Sequence, residues 1–270
     1  MTKSYSNSLY GSFKSRELFK HINKYCMFIG YPRSGHSLIG SLLDAHPNAI
    51  IANELDVLKF VKARFSKGQI YYLLLQNSCA IAALGRQQTG YSYKVPNQWQ
   101  GRFKEIKVIG DKKGGGSTYR FHQNPKLLKL LENTINTSIK FIHVIRNPYD
   151  NISTIFNRRI SIGNPMDLDQ CIDFYFSRCE TNQYIKQIKK ENVLDIRHES
   201  LINDPRACLT QLCRFLEIES LNDYLNDCAS IVYQSPRKSR CDVQWNQKLI
   251  NKVENNINKF GFLSGYTYDS

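Results

Sequence analysis

Phe28-Ile-Gly-Tyr-Pro-Arg-Ser-Gly-His-Ser-Leu38 is the stretch on which the reading of this chain turns. An apolar, β-prone run over 26–31 predicts a buried strand. Two glycines and a proline break it, and an apolar pattern over 37–43 predicts the start of a helix. A strand, a glycine loop and a helix in that order aim successive backbone N–H groups and a helix N-terminus at one point, which suits an anion. The spacing Gly30-x-x-x-x-Gly35-His36-Ser37 is that of the phosphate loop GxxxxGK[ST], with His in the place of Lys. Arg33 brings a cation from inside the loop instead. A strand–turn–helix corner with no ligand is the plainer alternative.

Outward from this loop, strands are expected over 49–52, 106–110, 140–145 and 193–196. Helices are expected over 125–131, 149–157, 169–188, 205–216 and 247–260. Strands alternating with helices argue for an α/β fold: a single domain over 25–262 with a central parallel sheet flanked by helices, like that of the phosphate-loop nucleotide-binding proteins. Residues 1–24 read as a polar extension and 263–270 as a tail. Residues 55–105 read as a helical insertion, either a substrate lid or simple packing. The 270 residues are 41% hydrophobic and 22% charged, with 15 Gly and 8 Pro, which excludes collagen-like and wholly disordered chains. Thirty-seven Lys and Arg against 23 Asp and Glu give a net charge of +14, so an anionic partner is expected. No apolar run approaches a membrane span or a signal peptide, and a cytoplasmic location is expected. The eight scattered cysteines show no metal spacing and are expected to be reduced packing residues, and no metal is expected.

A second anion site is written in Phe141-Ile-His-Val-Ile-Arg-Asn-Pro-Tyr-Asp-Asn-Ile-Ser-Thr154. A β run ends in Arg146, and Pro148 then stands where a helix starts. Arg146 thus lies at the C-terminal edge of the sheet, where such sheets bind ligands. Thr154 follows two helical turns on. An Arg beside a hydroxyl suits a phosphate dianion. An Arg that merely caps a neighbouring helix is the even alternative.

With both segments in view, the chain resembles the sulfotransferases that use 3′-phosphoadenosine 5′-phosphosulfate (PAPS). Tyr31-Pro-Arg-Ser-Gly-His-Ser-Leu38 with Leu42-Leu-Asp-Ala-His-Pro47 is similar to their 5′-phosphosulfate loop, His36 being a departure. The resemblance implies that Arg33, Ser34, Gly35, His36, Ser37 and Leu38 hold the 5′ end of the donor. It implies that Arg146 and Thr154 bind the 3′-phosphate, with Ser153 as the register alternative. Asp195-Ile-Arg-His-Glu-Ser-Leu201 resembles another family stretch and places His198 near the adenine. Pro236-Arg-Lys-Ser-Arg240 resembles the basic loop that closes over the 3′-phosphate, implicating Arg237 and Lys238. The likeness runs from about residue 26 to 260 and leans to the tyrosylprotein and carbohydrate branches.

Sulfuryl transfer needs attacking and leaving oxygens held in line, cations on the leaving phosphate, and a base for the acceptor hydroxyl. Glu54 follows the second strand, at the same sheet edge as the loop. It stands 21 positions after Arg33, the separation of loop Arg and catalytic Glu in the tyrosylprotein branch. His36 is the runner-up base, and a helix-capping Glu is the plainer reading of Glu54. Partial burial is expected to raise the Glu54 pKa against the opposition of the loop cations. Lys112 resembles the family lysine that contacts the sulfuryl group, with Lys113 as the alternative if the register slips. The glycines after it allow a close backbone approach or a mobile turn.

The resulting expectation is a transferase that moves a sulfuryl group from PAPS to a glycan or tyrosyl hydroxyl, releasing adenosine 3′,5′-bisphosphate (PAP). A divergent nucleotide kinase is the second reading, opposed by the missing loop Lys and by the lack of an Asp at the end of strand 140–145. A basic nucleic-acid binder is the third. No nucleic-acid partner is expected, because the 16 Tyr are spread along the chain rather than grouped with cations.

Overall fold

Along the first central strand, β1 (Lys24–Gly30), every residue is buried. Tyr25, Met27 and Ile29 enter one apolar core, while Cys26 and Phe28 enter another on the opposite face. A strand that is apolar on both sides belongs inside a sheet covered by helices on both faces. The computed structural model, which describes residues 2–88 and 90–270, has that arrangement.

The strands are β1, β2 (Ala49–Asn53), β3 (Gln87–Gln88), β4 (Tyr91–Ser92), β5 (Val108–Lys112), β6 (Ser138–Ile145) and β7 (Val193–Arg197). Five of them form one sheet in the order β2-β5-β1-β6-β7, every neighbouring pair parallel. β3 and β4 make a separate antiparallel hairpin. The helices are α1 (Thr2–Lys14), α2 (His36–Asp44), α3 (Val57–Lys62), α4 (Lys67–Ala83), α5 (Gly115–Gln123), α6 (Lys126–Ile135), α7 (Pro148–Ser161), α8 (Leu168–Lys189), α9 (His198–Asn203), α10 (Pro205–Leu216), α11 (Asn222–Ser230) and α12 (Gln247–Ile257). Among the described residues no helix is long and apolar enough to cross a membrane. All eight cysteines are free, six of them buried.

The α/β architecture with its parallel sheet agrees with the sequence expectation, and five differences of detail matter. The third main strand runs over Val108–Lys112 and not 106–110, which carries Asp111 and Lys112 into the sheet. The glycine run after it opens α5 instead of a mobile turn. The stretch read as a polar extension contains α1, whose Gly11 sits so close to the Tyr72 ring that a Cβ there would clash. A hairpin interrupts the 55–105 stretch read as a helical insertion. The last long helix stops at Ile257.

Candidate active site

β1, β5 and β6 end side by side, and the loops that follow them meet around a cleft of about 460 Å³. After β1 the chain must turn sharply into α2. Arg33 and Gly35 both adopt positive φ, 69° and 98°, and Gly35 caps the helix. A Cβ on Gly35 would come within 2.5 Å of His198 Nδ1, so glycine meets both the dihedral and the space requirement. His36 and Ser37 are the first residues of α2, and their N–H groups have no carbonyl four residues back within the helix. Arg33 is exposed and lines the cleft with Gly35, His36 and Ser37.

The Ser34 and Leu38 side chains turn inward. The Ser34 side chain is fully buried, its Oγ 2.9 Å from the Tyr31 carbonyl and 3.0 Å from His36 Nδ1. Leu38 packs in the core, and its N–H donates to the Gly35 carbonyl. Neither presents a side chain to the cleft. His36 Nε2 lies 3.1 Å from the Ile29 carbonyl. That nitrogen must carry the proton, because a carbonyl only accepts, and Nδ1 then competes with the Tyr31 carbonyl for the single Ser34 hydroxyl proton. Burial pushes the His36 pKa down to about 4. Both ring nitrogens are therefore committed to the loop, and His36 is a strut inside the loop, not a base. The glycine run explains its seat. A Cβ on Gly114 would strike the His36 ring at 2.7 Å, and one on Gly115 would strike Pro32 at 2.6 Å.

At one end of the cleft stands Arg146, 7% exposed. Nη1 donates to Thr154 Oγ1 at 3.2 Å and to the Arg33 carbonyl at 3.4 Å. Nη2 donates to the Arg237 carbonyl at 2.5 Å and to Ser239 Oγ at 3.1 Å. Nε is buried and without a partner. Among the described residues no carboxylate pairs with this guanidinium, and burial pulls its pKa down. Thr154 lines the cleft beside Arg146, whereas Ser153 Oγ accepts from Trp245 Nε1 at 3.0 Å. The basic loop contributes through Ser239 and the Arg237 backbone. Arg237 lines the cleft too, its exposed side chain donating to Asp242 at 2.8 Å, whereas Lys238 is exposed and does not line it. His198 does not line it either. It lies behind Gly35 with Nδ1 buried and unpaired, and burial pushes its pKa down to about 4.

At the other end Glu54, half exposed, is held by two lysines. Lys112 Nζ lies 2.9 Å from Oε1 and Lys113 Nζ 2.5 Å from Oε2. Lys112 also donates to Ser37 Oγ at 3.1 Å, joining Glu54 to the phosphate loop. The Lys112 stem passes over α2 at Gly40, where a Cβ would meet its Cγ at 2.7 Å. Burial raises the Glu54 carboxyl, but the two ammoniums together outweigh burial and leave it below the usual carboxylate range. The expected rise is thus overturned, and by Lys112 and Lys113 rather than by loop cations. Sequence reasoning also missed Ser239 and the two cleft-lining tyrosines, Tyr91 and Tyr93, carried by and just after the hairpin.

Comparison with known proteins bears on the family and the fold. A family model described as "Sulfotransferase family" matches residues 27–223. A protein-tyrosine sulfotransferase of Drosophila melanogaster is 24% identical over 195 residues, 70% of this chain and 37% of that protein. Protein-tyrosine sulfotransferase A of Caenorhabditis elegans is 22% identical over 221 residues, 77% of this chain and 53% of that protein. The chain spans between a third and somewhat over half of the length of these curated relatives. Among solved structures, the sulfotransferase domain from the curacin biosynthetic pathway superposes with a TM-score of 0.56 at 16% identity, covering 89% of this chain and 98% of that one. A mouse sulfotransferase complexed with PAP gives 0.51 at 14%, covering 93% and 89%. These two likenesses are of fold.

Proposed function

The chain belongs to the sulfotransferase family, and from that premise we propose that it transfers a sulfuryl group from PAPS to an acceptor hydroxyl by in-line displacement. The observation that carries the reading is Arg146. A buried guanidinium with an unpaired Nε, hydrogen-bonded only to neutral acceptors and with Asp150 and Glu199 acting on it from farther off, suits a phosphate dianion. It shares one cleft with the phosphate loop and with Glu54, so both phosphates of a 3′,5′-bisphosphate have somewhere to go.

PAPS, when bound, supplies the activated sulfuryl group and a phosphate leaving group. The chain does the rest. Arg146 and Thr154 hold the 3′-phosphate. Arg33 and the first N–H groups of α2 face the 5′ end and neutralise charge that grows there during transfer. Lys112, between Ser37 and Glu54, is placed to bridge the transferring group and the base. Glu54, ionised at neutral pH, takes the acceptor proton at a carboxylate oxygen. The relatives named protein-tyrosine sulfotransferases support a tyrosyl hydroxyl as acceptor, with a glycan hydroxyl as the other candidate. Tyr91 and Tyr93 offer an aromatic wall to either.

Calorimetry and melting with PAP, followed by labelled PAPS against tyrosyl peptides and glycans, test the reading. PAP should raise the melting temperature by mass action. No shift at millimolar PAP would sink it.

A further inference from the structure

Glu54 sits in a turn that its backbone resists. Glu54 has φ 58° and Asp56 has φ 67°, both left-handed and neither glycine. A non-glycine residue in this region is strained, so surrounding contacts must hold the turn. Three do. The Glu54 N–H donates to the Lys112 carbonyl at 3.0 Å. The Asp56 carboxylate is gripped by Arg120 Nε and Nη2, each at 2.6 Å. The third is Asp111, fully buried, whose Oδ1 accepts from the Leu55 N–H at 3.2 Å and whose Oδ2 accepts from the Val57 N–H at 2.9 Å. Strand alternation explains the division of labour at this end of β5: Lys112 meets Glu54 from the cleft while Asp111, one residue earlier, grips the following backbone from behind.

We propose that Asp111 is the positioning residue for Glu54, its carboxylate bonding the Leu55 and Val57 amides so that the turn aims Glu54 at Lys112 and the acceptor hydroxyl. The proposal rests on Glu54 being the base. A buried carboxylate without a cation in contact is a poor device for stability alone. Its two oxygens are what the site needs, because Asn offers one acceptor to two N–H groups and Ala offers none. Burial pushes Asp111 up to about 6, which still leaves it ionised at neutral pH.

The test measures transfer from labelled PAPS to a tyrosyl peptide, PAP affinity and amide exchange, for Asp111→Asn and Asp111→Ala in wild-type and Glu54→Gln backgrounds. In wild type, kcat should fall about tenfold for Asn and about a hundredfold for Ala, with PAP affinity within about twofold. With Glu54 already replaced, either change should cost less than about twofold, since a residue acting through Glu54 has nothing left to act on. Equal losses in both backgrounds, or PAP affinity falling along with kcat, would overturn the proposal. If the Ala variant fails to fold, exchange in the Asn variant decides: one of the Leu55 and Val57 amides should lose protection, and full protection of both counts against it. If Glu54→Gln alone leaves transfer intact, the base assignment falls and takes the proposal with it, while a PAP melting shift would still stand for the nucleotide site.

Discussion

The two ends of the cleft handle positive charge in opposite ways. Arg146 is steadied by two backbone carbonyls and two hydroxyls, none of them charged. Lys112 and Lys113 are steadied by a carboxylate, Glu54. Neutral acceptors fix a cation's direction and leave its charge unanswered. A carboxylate partner fixes direction and answers the charge within the protein. The Arg146 end, where no carboxylate among the described residues makes direct contact, is therefore the end proposed to take an incoming dianion. The Glu54 end sets one carboxylate against two ammoniums, so most of its charge is answered within the protein, and the proposed reaction would draw on that cluster.

The strongest way to break this division is Glu54→Gln. It keeps size but removes the base, so the transfer rate should fall by about 10² to 10⁴, with PAP affinity within a few fold. A comparable loss of PAP affinity would show that the ends are not separate. Arg146→Ala probes the opposite pole. Loss of a charge-assisted contact should weaken PAP by about 2 kcal/mol, roughly thirtyfold in Kd by titration calorimetry. An unchanged Kd would mean that Arg146 only ties β6 to the loops.

Lys113→Met sharpens the comparison by taking away one of the two ammoniums on Glu54. Glu54 lies below its usual pKa, so its share of the rate persists as pH falls until that depressed value is reached. Without Lys113 the acid limb of the pH–rate profile should move to higher pH, with PAP affinity unchanged. A limb that stays put removes Lys113 from the account.

The smallest effect concerns the loop joining the two ends. His36 is neutral in the fold, with a pKa pushed to about 4 against an ordinary 6.5. Between those values the unfolded chain binds the extra proton, so this part of the stability is whole above pH 6.5 and drains away as pH falls toward 4. Asp111, raised to about 6, acts in the opposite sense over part of that range, because the fold takes up its proton first. His36→Asn should therefore lose less melting temperature than wild type on going from pH 7 to pH 5. Equal losses would show that His36 protonates freely in the fold.

What the sequence disclosed follows the range of the interactions. The phosphate loop is local: glycines, a cation and a helix start lie within a few residues, and the eight-residue step from Arg146 to Thr154 is two helical turns. Choosing Thr154 over Ser153 required Trp245, 92 positions from Ser153, to claim the serine hydroxyl. His36 looked like a base because its isolated chemistry allows it. The Ile29 carbonyl and the Gly114 backbone that enclose the ring are visible only once three loops are assembled. Asp111 escaped notice because the apolar run before it ends at Gly110, whereas the ladder with β2 continues to Lys112.

Gly40 constrains how this protein can change over generations. An interior helix glycine concedes up to about 1 kcal/mol against alanine, so drift should favour its replacement. Yet a single methyl there would obstruct the Lys112 stem. Positions 40 and 112 are thus sterically coupled: the ordinary step toward a sturdier α2, Gly40→Ala, is expected to displace the Lys112 stem, and a shorter side chain at 112 is expected to make room for it.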